Sequence, residues 1–275
     1  MYFITISRQI GTGGSVIAAE VAKRLDYVLV DNNSIDQKAK EMGLFQKGVE
    51  IDEKAPSLIK RLFSHQPSIN LARLNSVLYE IGKEGNAVFI DHGANILLQS
   101  FECALHVLIG ASKETRTRNL LQLGYDEQNV NAVIEQSDHD RGAFMRFAFG
   151  VDWNDTSLYD AILNIDKMGN EAAVEAIIAL AQSEDMKSCS LKSMELLSNQ
   201  ALASRVYATL AEAELTYGHK SVFAVVEEEG KVRLAGIVDT ETTKEEAETV
   251  ARSVAGVKHI DNQIKILSRG QNTYD

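Results

Sequence analysis

The chain is poor in cysteine, in proline and in long apolar runs, and each shortage excludes a class of protein. Its two cysteines, Cys103 and Cys189, are too few for a disulfide framework and fit a reducing compartment. Neither has a second cysteine or a histidine at metal-site spacing, so we expect no metal there. The two prolines, Pro56 and Pro67, form no proline-rich linker. No apolar run approaches the roughly 18 residues of a membrane span, which excludes an integral membrane protein.

Basic residues are also scarce relative to acidic ones. The 275 residues include 28 Lys and Arg against 39 Asp and Glu, a formal net charge of −11. Phosphate backbones attract clustered basic side chains, so this balance argues against nucleic acid as a partner. The first residues show no basic segment followed by an apolar one, and we therefore expect no secretory signal and a cytoplasmic location. Any anionic ligand must be held by a locally basic site.

Residues 1–184 alternate short apolar runs with helical patterns, which predicts an α/β domain. Strands separated by helices favour a parallel sheet with helices on both faces. Ligands of such a sheet bind beyond the carboxyl ends of its strands. The predicted strands are 2–6, 27–30, 87–90, 104–109 and 161–164, and the predicted helices are 16–25, 34–42, 71–84, 113–123, 126–147 and 170–183.

The remainder of the chain has a different pattern. Residues 185–194 are small, polar and charged, as in a linker. Residues 195–268 then follow the order helix, strand, strand, helix, strand, and the alternation in 231–238 is typical of a half-buried antiparallel strand. We predict a separate small α+β domain there, followed by a tail at 269–275.

A glycine-rich loop, residues 7–15, lies between the first predicted strand and its helix. Such a turn presents free backbone N–H groups and the positive end of the helix dipole, which suits phosphate. Glycines can also serve only to let the chain turn, and this alternative stays open. The predicted phosphate-binding residues are Arg8, Gly11, Thr12, Gly13, Gly14 and Ser15.

The loop lacks the lysine of the pattern G-x-x-x-x-G-K-[ST]. Gly13 or Gly14 stands at the lysine position, depending on the alignment. Arg8 is the nearest cation that can replace it, and the Ser15 hydroxyl is the candidate ligand for Mg²⁺. The loop therefore predicts phosphate binding without the usual cation.

Several segments together resemble the cytidylate-kinase-like proteins, a branch of the P-loop nucleoside monophosphate kinases. They are the glycine loop, Asp31 at a strand end, the Asp52–Ser57 segment, and the run 137–164, SDHDRGAFMRFAFGVDWNDTSLYDAILN. The resemblance covers about the first two-thirds of the chain. It implies a P-loop kinase fold, ATP with Mg²⁺ as cofactor, and transfer of the γ-phosphoryl group of ATP to a nucleoside monophosphate such as CMP or dCMP.

The chain departs from this family at two basic positions. Members of the branch often have Arg where this chain has Ser15. The family pattern Gly-Arg-Gly after the third strand is replaced by Asp91-His92-Gly93. These departures support an alternative function, a nucleotide-binding or nucleotide-sensing protein that has lost catalysis. A third alternative is that residues 1–184 are only a scaffold.

Four arginines are the candidate catalytic groups. Arg116 and Arg118 begin the helix at which the resemblance places the start of a lid, and Arg141 and Arg146 follow on the next helix. The planar guanidinium binds phosphate through two hydrogen bonds and stays charged, which suits stabilisation of a transferred phosphoryl group. The alternative is a set of surface ion pairs, in which Asp138 and Arg141 pair at i,i+3.

Three residues at strand ends are candidates for binding the acceptor. Asp31 and Asp91 can accept hydrogen bonds from a base or ribose, or can cap the helix that follows. His92 is a candidate phosphate or base contact, although the favoured interpretation is a partly buried polar residue. We expect His106, inside an apolar strand, to lie in the core.

The C-terminal residues 195–267 resemble a BON domain. The resemblance depends on residues 232–238, with a glycine between apolar positions, and on 254–257 before the last strand. BON domains are associated with phospholipid or other ligands, so the resemblance implies a ligand-binding, regulatory or oligomerising role. The ligand is unknown, and a homo-oligomer stays open.

Overall fold

The computed structural model describes residues 2–44, 67–186, 188–216, 220–228 and 230–267. The chain divides into two compact units, one formed by residues 1–34 and 84–190 and the other by residues 35–83 and 191–275. The domain boundaries expected at 184 and 195 stay a prediction. The Asp52–Ser57 segment of the family resemblance lies outside the described residues.

The first unit is built on a five-stranded sheet in which every pair of neighbours is parallel. The strand order is β2-β3-β1-β4-β5. Adjacent strands are therefore joined through helices, which confirms the predicted doubly wound α/β class. The strands are β1 (Phe3–Arg8), β2 (Val28–Val30), β3 (Ala87–Ile90), β4 (Ala104–Gly110) and β5 (Ala161–Asn164).

Helices surround this sheet close to the predicted positions, except for the short α4, which was not predicted. They are α1 (Gly14–Leu25), α4 (Ala94–Leu97), α5 (Lys113–Gln122), α6 (Val130–Phe149) and α7 (Ile165–Ala181). A 3-10 turn at Thr156–Leu158 precedes β5. The last helix differs from the predicted 170–183 because two helical pieces are joined at Gly169, whose φ of 72° and ψ of 166° are not helical.

The core of the first unit lies where α1 and α7 cover one face of the sheet. Apolar residues recur three and four apart on both helices, so each presents a continuous apolar stripe. Ile17, Val21 and Ile177 are fully buried against Ile6 and Val107 of the central strands. His106 of β4 is also buried, with Nδ1 2.8 Å from the Thr5 hydroxyl, as the prediction of a core histidine requires.

The second unit contains the predicted small α+β arrangement. Helix α8 (Leu191–Glu212) is followed by β6 (Ser221–Glu228), β7 (Lys231–Val238), α9 (Glu241–Arg252), β8 (His259–Asn262) and β9 (Lys265–Ile266). Strand β7 is antiparallel to β6 and parallel to β8 and β9. Gly236 of β7 has φ 135°, and a Cβ there would collide with the Ser221 carbonyl. This explains the glycine between apolar positions.

Helix α3 (Pro67–Glu84) contributes residues 67–83 to the second unit, and α2 (Asn32–Glu41) contributes residues 35–41. Two ion pairs join α3 to α8, namely Arg73 to Glu212 at 2.7 Å and Glu80 to Arg205 at 3.4 Å. In the described part of the chain, no helix combines the length and apolar composition needed to cross a bilayer.

Cys103 and Cys189 form a disulfide, with their Cα atoms 4.9 Å apart. The small number of cysteines suggested that both thiols are free, and the structure corrects this expectation. Sequence spacing gave no sign of the pair, because 86 positions separate the two residues.

Candidate functional site

The glycine loop connects β1 to α1 and is braced by its own polar groups. The Thr12 hydroxyl donates to the Gln9 carbonyl at 2.8 Å and accepts from the Gly14 N–H at 3.3 Å. Thr12 is fully buried, so its hydroxyl supports the loop from within. Gly11 and Gly13 have φ values of 81° and 71°, which glycine adopts without strain.

Close packing gives Gly11 and Gly14 a second reason to lack a side chain. A Cβ on Gly11 would lie 2.8 Å from the Arg116 carbonyl oxygen, and one on Gly14 would lie 2.7 Å from Cβ of Arg8. Over Gly13, by contrast, the neighbour is the side-chain amide of Asn170. The glycines therefore let the chain turn, which is one of the two roles considered for them. They also let helix α5 approach the loop closely.

The start of α1 has the properties of an anion site. Gly13 is its N-cap and has no side chain with which to cap this end, and no acidic residue lies in the first turn. The N–H of Gly14 donates to the Thr12 hydroxyl at 3.3 Å and that of Val16 donates to the Gly13 carbonyl at 2.9 Å, and the helix dipole places positive charge at this end. The exposed Ser15 side chain lies in this first turn.

Helix α5 binds two carbonyl groups of the loop. Arg116 Nε donates to the Ile10 carbonyl at 2.8 Å, and Asn119 Nδ2 donates to the Gly11 carbonyl at 2.9 Å. The peptides are trans, so each N–H points opposite to its carbonyl. The N–H groups of Gly11 and Thr12 are therefore directed away from α5. Ile10 also packs against the buried cluster of Leu120, Val130 and Ile134.

A second cluster lies at the end of β3, around Asp91. Arg141 of α6 donates to Asp91 Oδ1 at 2.5 Å, and Arg8 contributes its N–H at 3.2 Å and its guanidinium at 3.6 Å. Burial alone would raise the pKa of the Asp91 carboxyl, but the positive charges of Arg141 and Arg8 hold it below its usual range. Two guanidinium groups thus share one carboxylate, which leaves the cluster with a net positive charge.

Aromatic residues fix the position of Arg141. Its guanidinium carbon lies 5.5 Å from the centre of the buried Trp153 ring. Tyr159 donates its hydroxyl to the Trp153 carbonyl at 2.8 Å, and burial raises the pKa of that phenol. Stacking of Arg on Trp and the ion pair to Asp91 act together to hold the guanidinium at the end of β3.

The backbone after β3 adopts an uncommon conformation. Asp91, His92 and Gly93 have φ values of 60°, 59° and 72°, so three successive residues are left-handed. Of the three, only Gly93 adopts the left-handed conformation without strain, because glycine has no Cβ. The absence of a side chain at Gly93 also makes room for the Phe149 ring. Strained backbone of this kind is typical of binding sites, where surrounding contacts impose it.

His92 is buried and has a partner at each ring nitrogen. Nδ1 lies 2.7 Å from the Ile90 carbonyl and Nε2 lies 2.8 Å from the Asn32 side-chain amide. Burial is the largest influence on its pKa and lowers it. Both partners are oxygen atoms, the Ile90 carbonyl and Asn32 Oδ1, so a neutral ring with its hydrogen on Nδ1 requires the Asn32 amide to turn its Nδ2 group toward Nε2. This geometry matches the favoured prediction of a buried polar histidine.

The predicted arginines occupy different environments. Arg116 donates to both Asp138 oxygens at 2.8 and 2.7 Å. Since Arg141 bonds Asp91, the alternative pair of Asp138 with Arg141 is not formed. Arg118 is exposed, donates to the Thr115 hydroxyl at 3.3 Å, and lines a groove of about 640 Å³ between α5 and the start of α6.

Arg146 is exposed on α6 and takes part in no ion pair with any residue that the structure describes. Asp31 caps α2, because its Oδ1 accepts from the N–H groups of Asn33 and Ser34, both at 3.0 Å. Of the two roles considered for Asp31, the capping role is therefore present. The structure thus gathers Arg8, Asp91 and Arg141 into one cluster and joins Arg116 to the loop.

Several residues of the site had no recognisable signal in the sequence. Gln9 accepts the Ala111 N–H at 3.0 Å and so links the ends of β1 and β4. Asn119 and Asn170 contact the loop from helices far along the chain. The position of Gln9, directly after a strand on the ligand side, was the only available hint.

ATP and Mg²⁺ can be tested against these residues. A helix start with glycine as its N-cap and a hydroxyl at Ser15 fit phosphates and a nucleotide-borne Mg²⁺, which usually keeps several waters and few protein ligands. Within the described residues there is no group of three or more His, Cys, Asp or Glu side chains able to hold a metal. The site therefore fits a metal that arrives with phosphate and not a caged ion.

Comparison with known proteins decides the family. The model of the cytidylate kinase-like family matches residues 3–167. The chain belongs to the cytidylate kinase-like family. A BON domain model matches residues 198–268, and both predicted resemblances are confirmed.

Relatives of this cytidylate kinase-like chain are similar over its first part. A protein of Pyrobaculum islandicum named cytidylate kinase is 26% identical over 178 residues, which are 63% of this chain and 89% of the relative. A protein of Ignicoccus hospitalis, also named cytidylate kinase, is 26% identical over 182 residues, which are 64% of this chain and 97% of the relative. A solved structure, an uncharacterized protein from Eubacterium ventriosum, superposes with a TM-score of 0.54 at 19% identity, covering 67% of this chain and 100% of its own. That likeness concerns the fold alone.

Proposed function

We propose that the protein transfers the γ-phosphoryl group of ATP to a nucleoside monophosphate, with CMP or dCMP as the acceptor. In this reaction an acceptor phosphate oxygen forms a bond to the γ-phosphorus, the bond to the β–γ bridging oxygen breaks, and ADP and a nucleoside diphosphate leave. The observation that carries the proposal is the start of α1, which has glycine as its N-cap and no acidic residue in its first turn, behind a loop whose carbonyls are bound by α5. Membership of the cytidylate kinase-like family supports the choice of nucleotide.

The donor phosphates would bind the backbone N–H groups of Gly11, Gly13 and Ser15, since the N–H of Gly14 already donates to the Thr12 hydroxyl. These groups lie at the positive end of the α1 dipole. The Ser15 hydroxyl would bind the Mg²⁺ that accompanies ATP, and when bound this ion neutralises phosphate charge. Thr12 would support the loop without touching phosphate, because its hydroxyl and its N–H both donate to the Gln9 carbonyl, at 2.8 and 3.4 Å.

The transferred group would be stabilised by arginines. Arg8 and Arg141 share the single carboxylate of Asp91, and the Nε atom of each is buried without a hydrogen-bond partner among the described residues. Such donors are expensive to leave unpaired, and a phosphate oxygen would satisfy them. The exposed Arg118 and Arg146 can approach the nucleotides only by moving, as lid residues do.

The acceptor would bind on the side of the site formed by the ends of β2 and β3. Asp91 would contribute by orienting Arg8 and Arg141, and Asp31 and His92 would shape the backbone around it. We place the reaction in the cytoplasm, where nucleoside monophosphates and ATP are abundant. The BON domain would supply a ligand-binding or regulatory function.

A coupled assay of ADP release tests the proposal. The purified full chain is incubated with ATP, Mg²⁺ and one of CMP, dCMP, UMP or AMP. We expect release that depends on the acceptor and is fastest with CMP or dCMP. Release that never exceeds the no-acceptor background would overturn the proposed reaction.

A second candidate function is nucleotide binding without turnover. The observations that favour it are the absence of a lysine in the loop and the Asp91-His92 pair in place of a basic residue. Calorimetry distinguishes the two functions, because a sensor would bind ATP or CMP while the ADP assay stays at background.

A further inference from the structure

Arg116 is the most deeply buried arginine of the candidate site, and all three nitrogen atoms of its guanidinium donate to protein oxygen atoms. Its side chain is 5% exposed. It bonds both oxygens of Asp138 and, through Nε, the carbonyl of Ile10. One guanidinium thus joins helix α5, helix α6 and the glycine loop.

This geometry is unsuited to a phosphate ligand. The carboxylate of Asp138 already neutralises the guanidinium through the paired hydrogen bonds that phosphate would use. Releasing Arg116 would leave a buried cation and a carboxylate without their partners, which is costly. Arg116 therefore holds a fixed position, whereas the Nε atoms of Arg8 and Arg141 have no such partners.

The contacts of α5 with the loop form one continuous patch. The Ile10 carbonyl binds Arg116, the Gly11 carbonyl binds Asn119, and Gly11 itself packs on the Arg116 backbone. With the Ile10 carbonyl fixed on α5, the Gly11 N–H of the same peptide is fixed on the opposite side, and the Thr12 N–H attached to the Gly11 carbonyl donates to the Gln9 carbonyl within the loop. The orientation of the Gly11 N–H, and the conformation of the loop that follows it, thus depend on the pair of Arg116 with Asp138.

We propose that Arg116 and Asp138 form a loop clamp, a positioning pair that holds the glycine loop in its phosphate-binding conformation without touching the nucleotide. The proposal rests on the proposed function for the identity of the ligand. It assigns Arg116 a different role from the phosphate contact suggested by its place at the start of a lid. When no phosphate is bound, the clamp keeps the glycine loop in part of the conformation that bound phosphate would otherwise stabilise.

The chain offers a matched control for the clamp. Lys113 of α5 pairs with Glu135 of α6 at 2.8 Å, so it joins the same two helices. Both side chains are at least half exposed, and the pair has no contact with the loop in the described structure. Glu135→Gln therefore removes an ion pair of the same helices but leaves the clamp in place.

The experiment compares Asp138→Asn, Asn119→Ala and Glu135→Gln in the full chain by two measurements. The first is amide hydrogen exchange of residues 9–15 without nucleotide, with the later turns of α1 as internal reference. The second is calorimetric titration with ATP and Mg²⁺. Asn119→Ala removes a single hydrogen bond, so it keeps the test valid if Asp138→Asn does not fold.

We expect Asp138→Asn to speed loop exchange and weaken ATP binding by about tenfold each, since a charged buried hydrogen bond is lost. Asn119→Ala should change both in the same direction by about threefold. Glu135→Gln should change neither by more than about twofold. The reference amides of α1 should be unaffected in all three.

Tighter ATP binding by Asp138→Asn would overturn the clamp, because a freed Arg116 that contacts phosphate predicts that result. Loop exchange within about twofold of wild type in both Asp138→Asn and Asn119→Ala would also overturn it. If the wild-type protein binds no ATP, the proposed function fails. The exchange measurement, which needs no nucleotide, then still decides the clamp.

Discussion

Arg141 donates a 2.5 Å hydrogen bond to Asp91, and this contact joins helix α6 to the end of strand β3. The side chains of the two residues are 18% and 10% exposed. Asp91 has a left-handed backbone and is followed by two further left-handed residues. The ion pair therefore stabilises a strained segment at the carboxyl end of the sheet, where the ligands of such folds bind.

Replacing Arg141 by Met should lower the free energy of unfolding by about 3 kcal/mol, because the buried Asp91 carboxylate loses its shorter ion pair. Urea unfolding measures the change. Arg252→Met is the matched control, since Arg252 pairs with Glu248 at i,i+4 and is 61% exposed. The control should stay within about 0.5 kcal/mol of wild type. Equal effects of the two substitutions would contradict the importance of the Asp91 cluster.

Replacing Gly11 by Ala should both destabilise the protein and weaken ATP binding. The new Cβ would meet the Arg116 carbonyl at 2.8 Å, in addition to the strain of a positive φ. Gly124→Ala separates the two effects, because Gly124 has φ 88° with no atom within 4 Å of its Cβ position. We expect Gly124→Ala to cost about 1 kcal/mol and leave ATP affinity unchanged. The hypothesis fails if both variants bind ATP as wild type does.

The stability of the protein should fall when the pH decreases from about 6.5. Burial lowers the pKa values of His92 and His106 in the folded state, so the unfolded chain binds protons first. Stability is thus complete above the unfolded-state pKa and is lost as the pH falls through the folded-state values. Each histidine contributes at most about 1.4 kcal/mol per pH unit.

His92→Asn isolates one of these two contributions. Asn tolerates left-handed backbone and keeps a donor for the Ile90 carbonyl. Unfolding followed by circular dichroism between pH 5 and pH 8 should show a shallower slope in the variant, which retains only His106. Identical slopes in variant and wild type would show that His92 does not titrate on unfolding.

Reduction of the disulfide should lower the free energy of unfolding by about 2–4 kcal/mol, because it frees a long loop in the unfolded chain. Cys189→Ser should have the same effect and should abolish the response to reductant. Differential alkylation with mass spectrometry reports the state of the thiols. Complete alkylation of Cys103 and Cys189 in native protein without reductant would show that the bond does not form.

The fold could be predicted in considerable detail because its signals are local. Apolar runs with helical segments between them indicated the parallel sheet, and alternation in 231–238 indicated the antiparallel strand β7. The glycine loop was recognisable for the same reason, since a strand, three glycines and a helix are adjacent in sequence. Helix ends were less accurate where an interruption such as Gly169 lies within the helical pattern.

The contacts of the site could not be predicted, because they join residues distant in sequence. Asp138 at i,i+3 from Arg141 was a reasonable partner, yet Arg141 pairs with Asp91, 50 positions away. Asp138 instead pairs with Arg116, 22 positions away. The left-handed backbone of His92 and the disulfide depend likewise on packing that no local pattern encodes.

The most direct test of the account is whether ATP binds at the glycine loop. Thr12-Gly13 is the only Thr-Gly sequence in the chain. Labelling Thr with ¹³C at the carbonyl and Gly with ¹⁵N therefore yields a single correlated amide signal, that of Gly13. Titration with ATP and Mg²⁺ should shift this signal in a saturable manner, and CMP alone should shift it much less. A Gly13 signal unchanged at saturating ATP would contradict the account.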